Sequence, residues 1–210
     1  MKTKSDIAYN KIREMIIKGE INRNTHISLT GMAEKIGFSK SPIRDAFQRL
    51  QNDGLVRIFP TQGIFVRDLS FDEAINIYDV RIALESYVLE KVFSSIQASD
   101  VKKLREILKH QKIALDNNDA YKFMDYDNQQ HSYFFTLYSN IIFLEIFNSL
   151  RTRIFRAGIQ ALMSGAMADT YKDHVMIVDS IEKGDRDKAI ENLKKHLRRG
   201  LTVCTKMCNL

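Results

Sequence analysis

The chain has 210 residues, of which 44% are hydrophobic and 28% are charged, and its formal net charge is +6. This balance is typical of a globular protein that buries a core, and it excludes a largely disordered chain. The charge is uneven, because residues 1–69 hold 12 Lys and Arg against 7 Asp and Glu, whereas residues 70–210 hold 20 against 19. This positive excess favours a polyanion as the partner of the first third, and nucleic acid is favoured over a membrane surface. The alternative is a solvated basic surface without a partner.

Targeting segments are not evident in the sequence. No apolar run reaches the roughly 18 residues that indicate a membrane span, and the first thirty residues lack the apolar stretch of a signal peptide. We therefore expect a cytoplasmic protein with no membrane contact. Its two cysteines, Cys204 and Cys208, have no metal-like partner pair nearby and are expected to be free thiols in a reducing compartment.

Residues 1–69 predict three short helices followed by a β-hairpin. The second helix lies in "SLTGMAEKIG" and ends at Gly37, and the third begins directly after Ser39, which is a candidate N-cap. Pro42 falls in the first turn of the third helix, where its missing N–H costs no hydrogen bond. The predicted buried stripe of this helix is Ile43, Ala46, Phe47 and Leu50.

Two helices joined by a short turn with glycine, the second with a basic start, are typical of a helix-turn-helix. Arginine in such a position donates two hydrogen bonds to guanine in the major groove, and lysine acts similarly with less rigidity. The candidate DNA-binding residues of this helix are Ser39, Lys40, Ser41, Arg44 and Gln48.

The hairpin that follows is predicted to be a wing. Its two β-rich runs, Leu55–Phe59 and Ile64–Val66, flank turn residues that are small and polar. We expect Thr61, Gln62 and Gly63 at its tip to contact the DNA backbone or the minor groove. The alternative is a three-helix bundle with a hairpin and no ligand, and the charge distribution favours DNA binding over it.

The stretch "MAEKIGFSKSPIRDAFQRLQNDGLVRIFPTQGIFV" resembles the winged helix-turn-helix of the GntR superfamily of bacterial transcription regulators. The resemblance covers residues 7–67 and rests on Ser-Lys-Ser-Pro-Ile-Arg-Asp-Ala at 39–46, the Gly-Leu-Val that enters the wing and the glycine at its tip. It implies a DNA-binding domain over residues 1–69. Lys40 and Thr30 stand where relatives use arginine, so the operator sequence does not follow from the resemblance.

From Ser70 onward the pattern predicts six helices and no strand, and hence a mainly α protein whose residues 70–210 form an all-α antiparallel bundle. "SFDE" is a capping box for the first of these helices, and Gly184-Asp185 separates the last two. The joint between the two domains is predicted at residues 66–70.

Four residues of this bundle are candidates for a metal site. Asp127 and His131 are four residues apart and share a helix face, while His174 and His196 lie in the fifth and sixth helices. A carboxylate and three imidazoles that converge in a bundle leave two positions open on an octahedral ion. The alternative is unrelated histidines on solvated faces, because spacing alone does not establish convergence.

The same region resembles the FCD effector-binding domain of the FadR subfamily, in its six-helix VanR-like form. The matching stretches are "VRIALE", "DNQQHSYFFTLYSN" and "DHVMIVDSIEKGDRDKAIENLKKH". The resemblance implies Asp127, His131, His174 and His196 as ligands of Zn, Ni or Mn. It also implies a small organic acid as effector, whose carboxylate oxygens bind the metal. Arg81 and Arg156 are the candidates for neutralising the other end of this acid. Alternatively, Arg81 forms a structural pair with Glu85.

These features predict a ligand-responsive transcription regulator that binds a palindromic operator in double-stranded DNA as a homodimer. We assign no catalytic residue and expect no enzyme, since no general base is placed beside the metal candidates. Two alternatives remain open: a regulator whose helical domain is metal-free and binds an acyl ligand or only dimerises, and a metalloenzyme in which the ion activates water.

Overall fold

A computed structural model describes residues 3–18, 20–21, 26–67 and 70–208. The chain divides into two compact units, residues 1–68 and 69–210. The joint predicted at residues 66–70 includes residues 68 and 69, which lie outside the described part. Among the helices that are described, none is long and apolar enough to cross a membrane.

The first unit contains the three helices and the hairpin that the sequence predicts. The helices are α1 (Lys4–Ile17), α2 (Leu29–Ile36) and α3 (Lys40–Asn52), and the antiparallel strands are β1 (Val56–Phe59) and β2 (Gly63–Val66). Gly37 ends α2 with a φ of 80°, as its C-cap position requires. Ser39 is the N-cap of α3, but its hydroxyl makes no capping hydrogen bond.

One apolar core holds this unit together. The predicted stripe of α3 is confirmed, since Ile43, Ala46, Phe47 and Leu50 are each 0% exposed. These side chains belong to a cluster that includes Ile12 of α1. Because the apolar face of α3 is fixed inward, its opposite face is held outward.

A short bridge attaches the wing to the segment before α2. The N–H of Ile27 donates to the Ile64 carbonyl at 3.0 Å, and the N–H of Ile64 donates to the Ile27 carbonyl at 3.3 Å. Next to this bridge, the His26 ring packs edge-on against Phe65, with 5.9 Å between centroids. The hairpin is therefore fixed to the segment that precedes α2 in its own unit.

The second unit is an all-α bundle with the six helices that the sequence predicts. They are α4 (Phe71–Val92), α5 (Ala98–Asp116), α6 (Ala120–Tyr138), α7 (Ile141–Ala161), α8 (Met167–Glu182) and α9 (Arg186–Cys208). A 3₁₀ turn over Phe93–Ser95 follows α4, and a π-helical segment over Leu162–Ala166 joins α7 to α8.

Local signals set several of these boundaries. The Ser70 hydroxyl accepts from the Glu73 N–H at 3.1 Å and caps α4. Gly184, with a φ of 72°, follows α8, and the Asp185 carboxylate accepts from the Lys188 N–H at 3.0 Å to begin α9. The Ser70 cap and the Gly-Asp break are thus both where the sequence predicts a helix end.

Helix α9 packs against α4, α7 and α8, and α6 packs against α4, α5 and α7. Their inward faces carry the charged and polar side chains of the bundle interior. Cys204, on α9, is a buried thiol that contacts the Ala157 carbonyl, whereas the side chain of Cys208 lies outside the described part.

Candidate functional site

The first turns of α3 present an exposed polar face opposite the buried stripe. Lys40, Ser41, Arg44 and Gln48 are all exposed. No hydrogen bond or ion pair within the described chain engages the side chains of Lys40 or Arg44.

Arg49, later on α3, is held differently. Its Nη1 lies 2.7 Å from Asp6 Oδ1, and its guanidinium lies 4.3 Å from the centre of the Tyr9 ring. Arg49 therefore ties α3 to α1, whereas Arg44 is available to a ligand.

The wing tip requires glycine at one position. Thr61 and Gln62 are exposed, and Gly63 follows with a φ of 91°. A Cβ on Gly63 would lie 2.2 Å from His26 Nε2, which is far inside van der Waals contact. Glycine is thus needed both for its backbone conformation and for the close approach of the His26 ring.

In the helical unit, the four predicted metal ligands come together. Asp127 and His131 lie one turn apart on α6, His174 on α8 and His196 on α9. All four are buried, and one ligand atom from each lies within 4.8 Å of the others. The convergence that spacing left open is therefore present in the fold.

The distances between these atoms suit a single ion. His196 Nε2 lies 3.2 Å from His131 Nε2 and 3.3 Å from His174 Nε2. Asp127 Oδ1 lies 3.3 Å from His174 Nε2, and Asp127 Oδ2 lies 3.9 Å from His131 Nε2. Two ligand atoms about 2.1 Å from one ion, at angles of about 90–110°, would lie about 3.0–3.4 Å apart. The residues present therefore fit a metal ion.

Each imidazole turns its other nitrogen toward a polar oxygen from another part of the bundle. The three Nδ1 contacts are His131 with Glu85 Oε2 at 2.5 Å, His174 with Gln111 Oε1 at 2.9 Å and His196 with Asp173 Oδ2 at 3.7 Å. A neutral imidazole that donates from Nδ1 carries a lone pair on Nε2. With the proton of each imidazole on Nδ1, the three Nε2 lone pairs would face one another and repel, and a cation between them would remove the repulsion.

The protonation states of two of the histidines, His174 and His196, are those of metal ligands. Burial lowers the pKa of His174 well below its usual value of 6.5, and repulsion from His196 and His131 adds to this effect. Burial also lowers the pKa of His196 well below 6.5. Burial raises the pKa of the Asp127 carboxyl, against the opposing influence of His131 and Arg81. At neutral pH both imidazoles are therefore neutral and able to bind a metal.

A small cavity adjoins the cluster. Its lining includes Asp127 and His196 from the cluster and the guanidinium-bearing residues Arg81 and Arg199, and its volume is about 30 Å³. A single water needs about 10–15 Å³ on this measure, so the cavity has room for about two waters. It accommodates a carboxylate-sized group but not a larger organic acid.

The two predicted effector arginines are placed differently. Arg81 Nε donates to Glu85 Oε1 at 2.6 Å, so the alternative pairing is present, while Arg81 Nη2 is buried without a hydrogen-bond partner in the described chain. Arg156 is buried with its Nη2 3.2 Å from Glu73 Oε2. Among the described residues that line the cavity, the arginines are Arg81 and Arg199.

Arg199 is the residue that sequence analysis missed. It lies three residues after His196 on α9, so both side chains project from one side of the helix. That spacing was the available signal.

The fold and the site together define a class of protein: a winged helix-turn-helix followed by an all-α domain that contains a buried carboxylate–histidine cluster. Comparison with known families agrees. Residues 4–66 match the model of the bacterial regulatory proteins of the gntR family, and residues 76–199 match the FCD domain. The chain belongs to the GntR-type transcriptional regulators that carry an FCD domain.

Individual relatives support this assignment. The chain is 27% identical over 193 residues to the gluconate operon transcriptional repressor of Bacillus licheniformis, covering 89% of this chain and 79% of the relative. It is 26% identical over 197 residues to the repressor of the same name from Bacillus subtilis, covering 90% and 80%. The solved structure of E. coli McbR/YncC has the same fold, with a TM-score of 0.81, 15% identity and 99% of each chain covered.

Proposed function

We propose that this regulator binds a palindromic operator as a homodimer, and that a small organic acid bound at a metal ion in the helical domain modulates its DNA affinity. The observation that carries the proposal is the convergence of Asp127 and three imidazoles beside a cavity lined by arginine. The GntR-type domain supplies the DNA-binding part of the function.

The metal would be held by Asp127, His131, His174 and His196, with Zn, Ni or Mn as the candidate ions. The mixed imidazole and carboxylate set suits these borderline and hard cations. Four protein ligands leave two positions of an octahedral ion for other oxygen atoms. When bound, the ion would act as a Lewis acid that attracts a carboxylate oxygen.

The effector would be a small carboxylate. Arg81 offers a buried guanidinium nitrogen without a partner at the cavity wall, and a carboxylate accepts from it in a charge-assisted hydrogen bond. A cavity of about 30 Å³ has to widen before a larger acid enters. Arg156, on α7, is the second candidate and would reach the acid only in the widened form.

This need to widen gives the effector a means of regulation. A ligand shifts an equilibrium only by its difference in affinity for two arrangements of the protein. An acid that requires the wider cavity stabilises that arrangement of the helices. If the two arrangements bind DNA with different affinities, the acid changes the DNA affinity of the protein.

On DNA, α3 would lie in the major groove, with Ser39, Lys40, Ser41, Arg44 and Gln48 facing bases and phosphates. The wing residues Thr61, Gln62 and Gly63 would contact the backbone or the minor groove. Two copies would bind half-sites about one helical turn apart, or a multiple of it. We place this activity in the cytoplasm and assign the chain no catalytic role.

The test uses an operator selected from random DNA by the protein itself. Fluorescence anisotropy would give its Kd with and without added acids, beginning with gluconate because two relatives are named for the gluconate operon. We expect an effective acid to change the Kd by about 5–150-fold in metal-loaded protein.

The matched control is the variant His174→Gln with His196→Gln, which removes two ligands and keeps the DNA-binding unit. The acid should leave its Kd unchanged. An equal shift in this variant, or in chelator-treated parent protein, would show that the helical domain responds to acids without a metal.

A further inference from the structure

One cavity arginine is connected to a metal-facing histidine through a buried carboxylate. Arg81 lines the cavity, and its Nε donates to Glu85 Oε1 at 2.6 Å. The other oxygen of Glu85, Oε2, lies 2.5 Å from His131 Nδ1, a close ion-pair contact in which neither atom has an aligned hydrogen-bond partner in the described chain. All three side chains are at most 4% exposed, so this chain of contacts is shielded from water.

The other cavity arginine is connected from different helices through longer ion-pair contacts rather than hydrogen bonds. Arg199 lines the cavity, and its Nη2 lies 3.3 Å from Asp173 Oδ1. Asp173 Oδ2 lies 3.7 Å from His196 Nδ1. Asp173 is only 1% exposed, and neither of its carboxylate oxygens has a hydrogen-bond partner in the described chain. This carboxylate therefore has unused capacity to accept a hydrogen bond.

His174 provides an internal contrast. Its Nδ1 faces the neutral amide of Gln111, at 2.9 Å, rather than a carboxylate. Only the two histidines that are backed by a carboxylate are linked in this way to an arginine of the cavity wall, among the residues that the structure describes.

A carboxylate that faces both a guanidinium and an imidazole divides its negative charge between them, so it attracts each less strongly than it would one alone. An anion that pairs with the arginine draws the guanidinium away, and the carboxylate is then free to accept a hydrogen bond from the imidazole N–H. A stronger hydrogen bond at Nδ1 raises the basicity of Nε2 and hence its strength as a metal ligand.

We propose that two buried relays, Arg81–Glu85–His131 and Arg199–Asp173–His196, link the cavity to the metal centre, so that a carboxylate in the cavity strengthens metal binding. The inference rests on the proposed metal site and adds a mechanism of coupling to it. By reciprocity, the metal strengthens binding of the carboxylate by the same factor. Glu85 and Asp173 are positioning residues in this scheme.

The first test uses zinc alone, with full-length protein that carries no histidine tag. Competition with a chromophoric chelator gives the zinc Kd of the parent, Asp173→Asn and Arg199→Gln. Asp173→Asn should weaken zinc binding about 10–100-fold, as loss of an outer partner of a ligand does. Arg199→Gln should leave it unchanged or make it tighter, because Asp173 then serves His196 alone. A pair with a merely structural role would weaken zinc binding in both variants.

The matched control for the aspartate is Asp179→Asn on the same helix, which pairs with Arg105 at 2.6 Å. It should not alter the zinc Kd. Glu85→Gln tests the first relay, with Glu90→Gln on α4 as its control, since Glu90 pairs with Arg186 at 2.6 Å. Thermal unfolding of each metal-free variant separates loss of folding from loss of zinc affinity. Because Arg199 is 36% exposed, the second relay remains testable if Glu85→Gln does not fold.

The second test adds acetate, with chloride at equal ionic strength as reference. Acetate should tighten zinc binding of the parent by about fivefold or more, in the usual range of coupling between two ligands. The ratio of the two zinc Kd values should be clearly smaller in Asp173→Asn and Arg199→Gln than in the parent, because each variant removes one of the two relays. A ratio that stays at the parent value in both variants means that acetate acts only by binding the ion, and it overturns the relays.

The two proposals fail differently. A parent protein that binds no zinc refutes the metal site itself. A parent that binds zinc, together with Asp173→Asn and Glu85→Gln variants that bind it equally well, refutes the relays and leaves the metal site standing.

Discussion

The cationic side chains of α3 are of two kinds: some pair within the protein, and others are exposed and can contact DNA. Arg44 is the clearest example of the second kind. It is exposed without a partner in the described chain, whereas Arg49 is tied to Asp6 and Tyr9. The same charge on one helix therefore serves two purposes.

Arg44→Ala should cost about 1–3 kcal/mol of binding to the selected operator and should relax discrimination at one base pair, because a bidentate contact is lost. Anisotropy titrations on the operator and on single-base variants measure both effects. Lys18→Ala, which removes a cation paired with Glu14 on α1, should leave the base preference unchanged. Unaltered operator preference in Arg44→Ala would refute the role given to Arg44.

The buried imidazoles should make the metal-free protein sensitive to acid. Because the folded pKa values of His174 and His196 lie below the unfolded value of 6.5, the unfolded chain takes up protons that the folded chain does not. Stability is therefore lost as the pH falls below about 6.5. The raised pKa of Asp127 acts in the opposite direction, so the histidine effect is isolated by comparison with variants.

Urea unfolding at pH 7.5 and 5.5, with chelator present, measures this loss. The two groups together should account for at most about 3 kcal/mol across this interval. Replacing both by glutamine should flatten the dependence, whereas His110→Gln, an exposed histidine on α5, should not. An equal pH dependence in parent and double variant would contradict the burial of neutral imidazoles.

At the scale of single elements, the wing depends on one glycine. Gly63→Ala imposes a positive φ on a residue with a Cβ and drives that Cβ toward the His26 ring. We expect a loss of about 2 kcal/mol or more from the DNA-binding unit, measured by urea unfolding of the whole protein.

Gly37→Ala is the matched control, because Gly37 also has a positive φ, of 80°, but a Cβ added there would meet nothing within 4 Å. It should show only the backbone cost. Adding His26→Ala to Gly63→Ala should recover the difference between the two. Equal losses at the two glycines would mean that the His26 contact does not constrain the wing.

Sequence periodicity and caps predicted these elements well, since helix length, stripe and termination are local properties. The stripe of α3, the Ser70 cap and the Gly184–Asp185 break all follow from neighbouring residues. The bridge between Ile27 and Ile64 was not predicted, because it joins residues that are distant along the chain.

The candidate site was predictable only in part. Helix spacing placed Asp127 and His131 together, and family resemblance supplied His174 and His196. Each histidine Nδ1 faces a residue on a different helix, and no short-range pattern predicts these contacts. The residues are Glu85, Gln111 and Asp173. The size of the cavity and the place of Arg199 in its wall likewise depend on how the helices pack.

For the whole molecule, the central claim is that the helical domain binds a metal, since effector recognition and coupling both depend on it. A DNA-binding unit and a helical unit in one chain allow regulation only if ligand binding in one alters the other. In the proposed function, the buried cluster of Asp127 and three histidines would connect ligand binding to that regulation.

The most direct test of this claim is metal content. Mass spectrometry would be applied to protein purified without chelator or histidine tag, beside Asp127→Ala and the exposed control Asp125→Ala on the same helix. We predict about one equivalent in the parent and in Asp125→Ala, and none in Asp127→Ala. Absence of metal from the parent, persisting after incubation with Zn, Ni or Mn, would contradict the account.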